Sequence, residues 1–272
     1  MKKVLMVFDN TNFSEGAFEF ARWLNQREPV LVTAAFVPQV DFANLWSYTA
    51  GVAGAMVIPM LEETDAELVQ KNIERFEELC KRNKMTFAVH RDFYGFVVPE
   101  LQKESRFSDL MILGGENFYL NLGAGVDDSM KETLHASECP VVVVPERYEL
   151  PQAVVLAYDG GASSLHAMKQ FSFLFSQLTA LPTLLVYWAG KDQPIPAKEN
   201  IEEWARCHFK NLELLKLDKN SQPYFNTWLK ARPGAMLVSG AFGRSQLSQM
   251  FRKSFVAPVI EEHRVPLFIA HK

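Results

Sequence analysis

The sequence predicts two tandem doubly wound α/β domains, each with a parallel sheet covered by helices. Short and almost continuous apolar runs alternate with segments whose apolar residues recur at helical spacing, which is typical of parallel strands buried on both faces. The same order of runs and helices occurs twice within 272 residues. That length suits two domains of roughly 100–200 residues each.

Two aspartates mark the duplication. The run Val4–Phe8 ends at Asp9, and the matching run Val154–Tyr158 ends at Asp159, 150 residues later. The fourth and last runs of the two copies lie only 126 residues apart. This offset is 24 residues shorter than that of the aspartates, so the first copy holds additional chain between its first and fourth strands. A duplication with one insertion explains both offsets. The predicted domains are residues 1–148, with the insertion at about 38–60, and residues 149–272.

The apolar runs predict five strands in each copy. Those of the first copy are Val4–Phe8, Val30–Val37, Met85–His90, Leu110–Leu113 and Val141–Val144. Those of the second copy are Val154–Tyr158, Thr183–Trp188, Leu212–Leu217, Ala235–Ser239 and Leu267–Ala270. A long helix is predicted before the third strand, with Val69, Ile73, Phe76 and Cys80 on one face.

Composition excludes several classes of protein. The net charge of −4 and the isoelectric point of about 5.9 argue against a nucleic-acid partner. The three cysteines are widely separated and form no metal-ligand spacing, which favours a reducing compartment and predicts no metal site. The apolar run at the N-terminus is too short for an export signal, so a cytoplasmic location is expected.

The segment Phe42–Leu61 contains twenty residues without a charge, which is the length of a membrane span. It also contains glycine, proline and several polar residues, and acidic residues flank it on both sides. These features favour an apolar loop or a partner-contacting arm over a membrane span.

The second copy carries a glycine motif after its fourth strand, Ser239-Gly240-Ala241-Phe242-Gly243-Arg244, and nine residues separate Gly243 from Lys253-Ser254. Glycines let the backbone approach a phosphate, and free N–H groups at a helix start bind anions. Arg244 and Lys253 add positive charge. The alternative is a plain strand-to-helix turn with solvated basic residues. Asp159, followed by Gly160, either accepts hydrogen bonds from a ligand or only caps the next helix.

The first copy departs from this motif. Asn117 stands in place of the second glycine, and Asp127 and Asp128 stand where the phosphate would be received. Two carboxylates there oppose a triphosphate. Residues 1–148 carry a net charge of −8 and residues 149–272 a net charge of +4. The first copy is therefore expected not to bind nucleotide, with a metal-bridged anion as the alternative.

These residues resemble the universal stress proteins, whose first strand ends in aspartate and whose fourth strand leads into G-x2-G-x9-G-(S/T). The resemblance spans nearly the whole chain in two tandem copies, and it implies the Rossmann-like fold of adenine nucleotide alpha hydrolases. It implies ATP as ligand, with or without Mg²⁺. Lys253 departs from the glycine of the family, and its side chain either crowds the phosphates or neutralises them. The resemblance implies that Asp159 contacts the adenosine, that Tyr187 flanks the base, and that Gly240, Gly243 and Ser254 contact the phosphates. The residues that this chain's own motif adds to the expected site are Gly160, Ser239, Arg244 and Lys253.

The resemblance also implies partners. Strands Val141–Val144 and Leu267–Ala270 are expected to pair within one chain, which makes an intrachain pseudo-dimer, and tandem chains are expected to pair again as a homodimer. The expected function is that of an ATP-binding regulatory module and not of a metabolic enzyme. A nucleotide-free scaffold of the same fold and a slow ATPase are the alternatives.

Overall fold

The protein is described by a computed structural model that covers residues 1–9, 12–37, 63–90, 97–115, 136–188, 194–217, 224, 227–229, 231–240 and 265–270. Its contacts divide the chain into two compact units. Unit 1 comprises Met1–Gly114 and Asp128–Cys139, and unit 2 comprises Gly115–Asp127 and Pro140–Lys272. The division of the sequence into copies at residues 148 and 149 stays a prediction.

Within the described residues, unit 1 contains a parallel sheet of the order β3-β2-β1-β4. Its strands are β1 (Lys2–Asp9), β2 (Val30–Val37), β3 (Thr86–His90) and β4 (Leu110–Gly114). The strand order reverses beside β1. In such sheets, ligands bind beyond the carboxyl ends of the two strands that flank the reversal, here β1 and β4.

Three helices of unit 1 are described, α1 (Glu15–Arg27), α2 (Glu63–Arg82) and α3 (Val97–Arg106). Helix α1 begins after Ser14, whose hydroxyl oxygen accepts a hydrogen bond from the Ala17 N–H at 3.2 Å. Helix α2 buries Ile73, Phe76 and Cys80, so the predicted apolar face is confirmed at these positions.

Unit 2 contains a sheet of the order β5-β10-β9-β6-β7-β8 in the described residues. All neighbours are parallel except β5 and β10, which pair antiparallel with Val142 opposite Phe268. These two strands are the last strands of the two sequence copies. The strands are β5 (Val141–Val144), β6 (Ala153–Tyr158), β7 (Pro182–Trp188), β8 (Asn211–Leu217), β9 (Ala235–Gly240) and β10 (Leu267–Ala270). The helices are α4 (Ala162–Leu174), a 3-10 helix (Ser176–Ala180) and α5 (Lys198–His208).

The two strand orders correspond, because β3-β2-β1-β4 in unit 1 repeats as β8-β7-β6-β9 in unit 2. The predicted doubly wound α/β fold is thereby confirmed. The strand registers also place the additional chain of the first copy. The second strands, aligned at Val32 and Thr183, are 151 residues apart, whereas the third strands begin at Thr86 and Asn211, 125 residues apart. The additional residues therefore lie between the second and third strands, where α2 has 20 residues and α5 has 11.

Aromatic side chains dominate the core of each unit. In unit 1, the Phe76 ring of α2 packs edge-on against Phe8 and Phe18, with centroids 5.8 and 6.1 Å apart. In unit 2, Phe268 of β10 packs against Phe171 at 5.4 Å and Phe175 at 5.7 Å. Truncation of such a buried ring to alanine costs about 3–5 kcal/mol. These contacts hold the helices on the sheet.

No helix in the described ranges is long and apolar enough to cross a membrane. The uncharged segment at residues 42–61 and the predicted insertion at 38–60 lie outside those ranges.

Candidate functional site

Asp159 follows β6 directly and its side chain is exposed. Its Oδ1 accepts hydrogen bonds from the Gly161 N–H at 2.7 Å and from the Ser164 hydroxyl at 2.6 Å. Among the described residues, no group donates to its Oδ2. The carboxylate therefore holds the turn into α4 with one oxygen and keeps the acceptor capacity of the other.

Gly160 is required by the conformation of this turn. Its φ is +84°, in the left-handed region that favours glycine. A Cβ atom there would stand 2.7 Å from the Cγ of Pro196. The Tyr158 hydroxyl also donates to the Pro196 carbonyl oxygen at 3.0 Å. Pro196, in the connection between β7 and α5, therefore packs against the strand end that carries Asp159.

Gly240 brings the end of β9 against the first turn of α4. A Cβ atom at Gly240 would lie 2.5 Å from the Ser164 backbone nitrogen and 2.6 Å from the Ser163 carbonyl carbon. Only glycine permits this approach of two backbones. The close approach brings Asp159, Gly240 and the first turn of α4 together at the ends of β6 and β9, where the strand order of unit 2 reverses.

The two units differ at the helix that follows their first strand. In unit 1, Ser14 caps α1 and Glu15 lies in its first turn. In unit 2, the N-cap residue of α4 is Gly161, which makes no side-chain capping bond, and the first turn holds no acidic residue. Because a helix N-terminus carries partial positive charge, the first turn of α4 attracts an anion, and the Asp159 carboxylate, which accepts from the Gly161 N–H, already supplies one negative charge there.

Tyr187 and Ser239, two further predicted site residues, are buried. Tyr187 is 6% exposed, and its ring centroid lies 6.1 Å from that of Tyr158 with the planes at 51°. Ser239 is 3% exposed. Burial raises the pKa of Tyr158, and the charge of Asp159 raises it further. The role of Tyr187 beside a base stays a prediction.

The remaining predicted phosphate residues, Gly243, Arg244, Lys253 and Ser254, lie outside the described residues. Asn117, Asp127 and Asp128 of the first copy also lie outside them. The structure thus brings Asp159, Gly160 and Gly240 together, and the positions of the basic residues stay predictions.

Three residues of the site were missed by the sequence analysis, namely Ser164, Tyr158 and Pro196. The repeat carries a signal for Ser164, because it follows Ser14 by 150 residues, the offset that also separates Asp9 and Asp159. No sequence pattern marks Pro196, since its contact with Gly160 arises only when the connection after β7 folds back.

Two cysteines are confined to the cores. Cys80 has no exposed surface, and burial with the nearby charge of Glu77 raises its pKa to about 12. Cys139 is 7% exposed, and burial raises its pKa to about 11. Both thiols therefore remain protonated at neutral pH, which makes them packing groups and not nucleophiles.

Comparisons with known proteins agree with this fold. The chain is 21% identical over 286 aligned residues to a universal stress protein of Synechocystis, covering 98% of this chain and 99% of that protein. The crystal structure of a universal stress protein from Archaeoglobus fulgidus matches with a TM-score of 0.66 at 16% identity, covering 100% of this chain and 96% of that chain. A candidate universal stress protein of Pseudomonas aeruginosa matches with a TM-score of 0.50 at 12% identity, covering 100% of this chain and 93% of its own. No family model matches the chain.

The likeness to these proteins covers both copies, in sequence and in fold. The resemblance expected from the aspartates and the glycine motif is therefore confirmed, since the chain is similar to universal stress proteins along both of its sequence copies.

Proposed function

We propose that this chain is a regulatory protein that binds ATP, alone or with Mg²⁺, at the carboxyl ends of β6 and β9 in unit 2. The observation that carries the proposal is the arrangement of Asp159. Its carboxylate is exposed and is held in place through Oδ1, beside a backbone approach at Gly240 that only glycine permits. A preorganised acceptor of this kind suits a ribose hydroxyl or a purine amine.

The charges of the second copy support an anionic ligand. The N-cap residue Gly161 makes no side-chain capping bond and the first turn of α4 contains no acidic residue, so Asp159 supplies the one carboxylate bonded at this helix start in the described residues. The second copy is also net positive, and its sequence places Arg244, Lys253 and Ser254 after β9. We propose that these residues receive the phosphates while Asp159 receives the adenosine.

Unit 1 is proposed to be a structural partner that binds no nucleotide. The start of α1 is already capped by Ser14 and carries the negative charge of Glu15. The net charge of −8 over residues 1–148 also opposes a triphosphate. The antiparallel pairing of β5 with β10 supports the proposal that the two copies act as a pseudo-dimer within one chain.

A regulatory role is favoured over turnover, because Tyr158 and Asp159, the titratable side chains at the end of β6, both make hydrogen bonds within the protein. The pKa of Tyr158 is raised and its hydroxyl is engaged with Pro196, so it stays protonated at neutral pH. Asp159 uses one oxygen to hold its own turn.

The three cysteines form no disulfide, which supports the proposed cytoplasmic location.

Calorimetric titration of the nucleotide-stripped protein with ATP and Mg²⁺ tests the proposal. We expect about one ATP per chain and an affinity loss of at least about tenfold in Asp159→Ala, which corresponds to about 1.4 kcal/mol. Asp9→Ala is the matched control in the first copy and should bind as the wild type does. Absence of binding would favour the nucleotide-free scaffold, and equal losses in the two variants would refute the assignment to unit 2.

Two further measurements complete the test. Release of phosphate from ATP by the purified protein would indicate a slow ATPase in place of a binding module. Sedimentation of the chain with and without ATP measures whether it forms the proposed homodimer.

A further inference from the structure

In unit 1, the connection from β1 to α1 places the ring of Phe13 on the ring of Phe8. Their centroids are 4.8 Å apart and their planes differ by 14°, so the rings are stacked. The guanidinium carbon of Arg75, in α2, lies 4.7 Å from the centroid of Phe13. Arg75 is itself hydrogen-bonded to Glu15 in the first turn of α1. Phe13 is thus held by an aromatic ring and by an anchored cation, two groups that bind flat aromatic rings.

The strand end beneath Phe13 corresponds to the site of unit 2. Phe8 pairs with Phe36 in the neighbouring strand, and Tyr158 pairs with Tyr187 in the same way. Phe8 precedes Asp9 as Tyr158 precedes Asp159. The Phe13 ring therefore covers the residue of the first copy that is equivalent to Tyr158.

At the positions equivalent to Phe13 and Arg75, the described residues of unit 2 supply neither an aromatic ring nor a cation. The residue 150 positions after Phe13 is Ser163, in the first turn of α4. The third strands are 125 residues apart, and this offset puts Asn200 at the position of Arg75. In the described part of unit 2, no ring stacks on Tyr158, and its nearest ring is the tilted Tyr187.

Helices α1 and α4 begin at different distances from the preceding strand, and this difference explains how Phe13 comes to lie over Phe8. Helix α4 begins three residues after Asp159, whereas α1 begins six residues after Asp9. The longer connection of unit 1 lets Phe13 turn back over Phe8 before the helix begins.

We propose that the face of Phe8 at the carboxyl end of β1, with Arg75 beside it, can receive a flat ring, and that Phe13 fills this place and thereby excludes a nucleobase or another planar ring from unit 1. This inference rests on the proposed function for its choice of ligand. An occupant tethered by a short connection acts at an effective concentration in the millimolar range or above. A free ring ligand at lower concentration therefore does not displace it.

The test is calorimetric titration with adenosine, which carries no phosphate and so is not repelled by the acidic first copy. Phe13→Ser introduces the residue found at the equivalent position of unit 2. We expect this variant to bind one more adenosine per chain than the wild type. Combining Phe13→Ser with Arg75→Gln should weaken the additional site by several-fold. Phe18→Leu, a change in the adjacent core, is the control and should add no site.

Unchanged adenosine stoichiometry in a folded Phe13→Ser variant would overturn the proposal. If Phe13→Ser does not fold, Phe13→Ala decides, because it removes the stacked ring but keeps an apolar side chain at this position. We expect an additional adenosine site in that variant as well, and none would overturn the proposal. The number of additional adenosine sites is measured relative to the wild type, so this result does not depend on whether unit 2 binds ATP. A wild type that binds no nucleotide would refute that site and leave this measurement intact.

Discussion

Gly240 at the end of β9 touches the backbone of Ser164 in α4 so closely that a Cβ atom would stand 2.5 Å from the Ser164 nitrogen. Ser164 in turn donates its hydroxyl to Asp159 at the end of β6. A single helical turn therefore links the two strand ends that flank the reversal of strand order. The geometry of the candidate site depends on this link.

Gly240→Ala should lower the free energy of unfolding by about 1–3 kcal/mol, because the methyl group meets backbone that cannot move aside. Urea denaturation measures the change. Ser239→Ala is the control, since the Ser239 hydroxyl makes only a 3.4 Å contact with the Gly240 carbonyl oxygen. Equal stability of Gly240→Ala and the wild type would contradict the close approach.

Ser164→Ala should weaken ATP binding by roughly 3–10-fold, because one ordinary hydrogen bond to Asp159 contributes about 0.5–1.5 kcal/mol. Calorimetry with ATP measures the loss. Ser172→Ala is a matched control in the same helix, as its buried hydroxyl bonds to the Lys169 carbonyl oxygen at 2.8 Å. Similar affinities for the two variants would show that Ser164 does not position the carboxylate.

Ser14→Ala should destabilise the protein by about 1 kcal/mol through loss of the cap of α1. ATP binding should be unaffected, because the proposed ligand occupies unit 2. Thermal or urea unfolding measures the loss of stability, and calorimetric titration measures the affinity for ATP. Ser14→Thr retains a capping oxygen and should recover most of the stability. A loss of ATP affinity in Ser14→Ala would argue that unit 1 takes part in binding.

Stability should fall as the pH rises above about 9. Cys80 has its pKa raised from 9.0 to about 12 and Cys139 to about 11 in the folded protein. Below pH 9, the two thiols are protonated in both states and their contribution to the free energy of unfolding is fully present. As the pH rises, this contribution is lost, because the thiols of the unfolded chain release their protons first. Urea unfolding between pH 8 and pH 11 measures this slope.

Cys80→Ala should be less stable than the wild type at pH 8, since it leaves a cavity, but should show a shallower loss at alkaline pH. Cys207→Ala is the control, because Cys207 is exposed. Parallel curves for Cys80→Ala and the wild type would rule out Cys80 as a source of the alkaline loss.

Most of the fold was predictable from local pattern. Strands β2, β5 and β10 coincide with the predicted runs, β1 is longer than its run at both ends, and each of the others differs by one residue at one end. Apolar runs of this kind mark strands because both faces of a parallel sheet are buried. The duplication was visible in the same runs, since each copy must bury the same core.

The candidate site was predictable only in part. Asp159, Gly160 and Gly240 were identified because they follow strands of a parallel sheet, at the edge where such sheets bind ligands. Ser164 and Pro196 were missed because serine and proline are common in turns, and nothing local shows what they contact. The stacking of Phe13 on Phe8 was also missed, since the spacing of Phe13 suits an ordinary helix face.

The sequence by itself determined the order of strands and helices, the two copies and the opposite charges of the copies. These properties follow from the hydrophobicity and charge of each residue and need no knowledge of its neighbours in space. Only the tertiary structure decided that Ser164 holds Asp159, that Pro196 packs on Gly160 and that Phe13 covers Phe8. Each of these contacts depends on the path of a connection between elements, and that path is set by the packing of the whole unit.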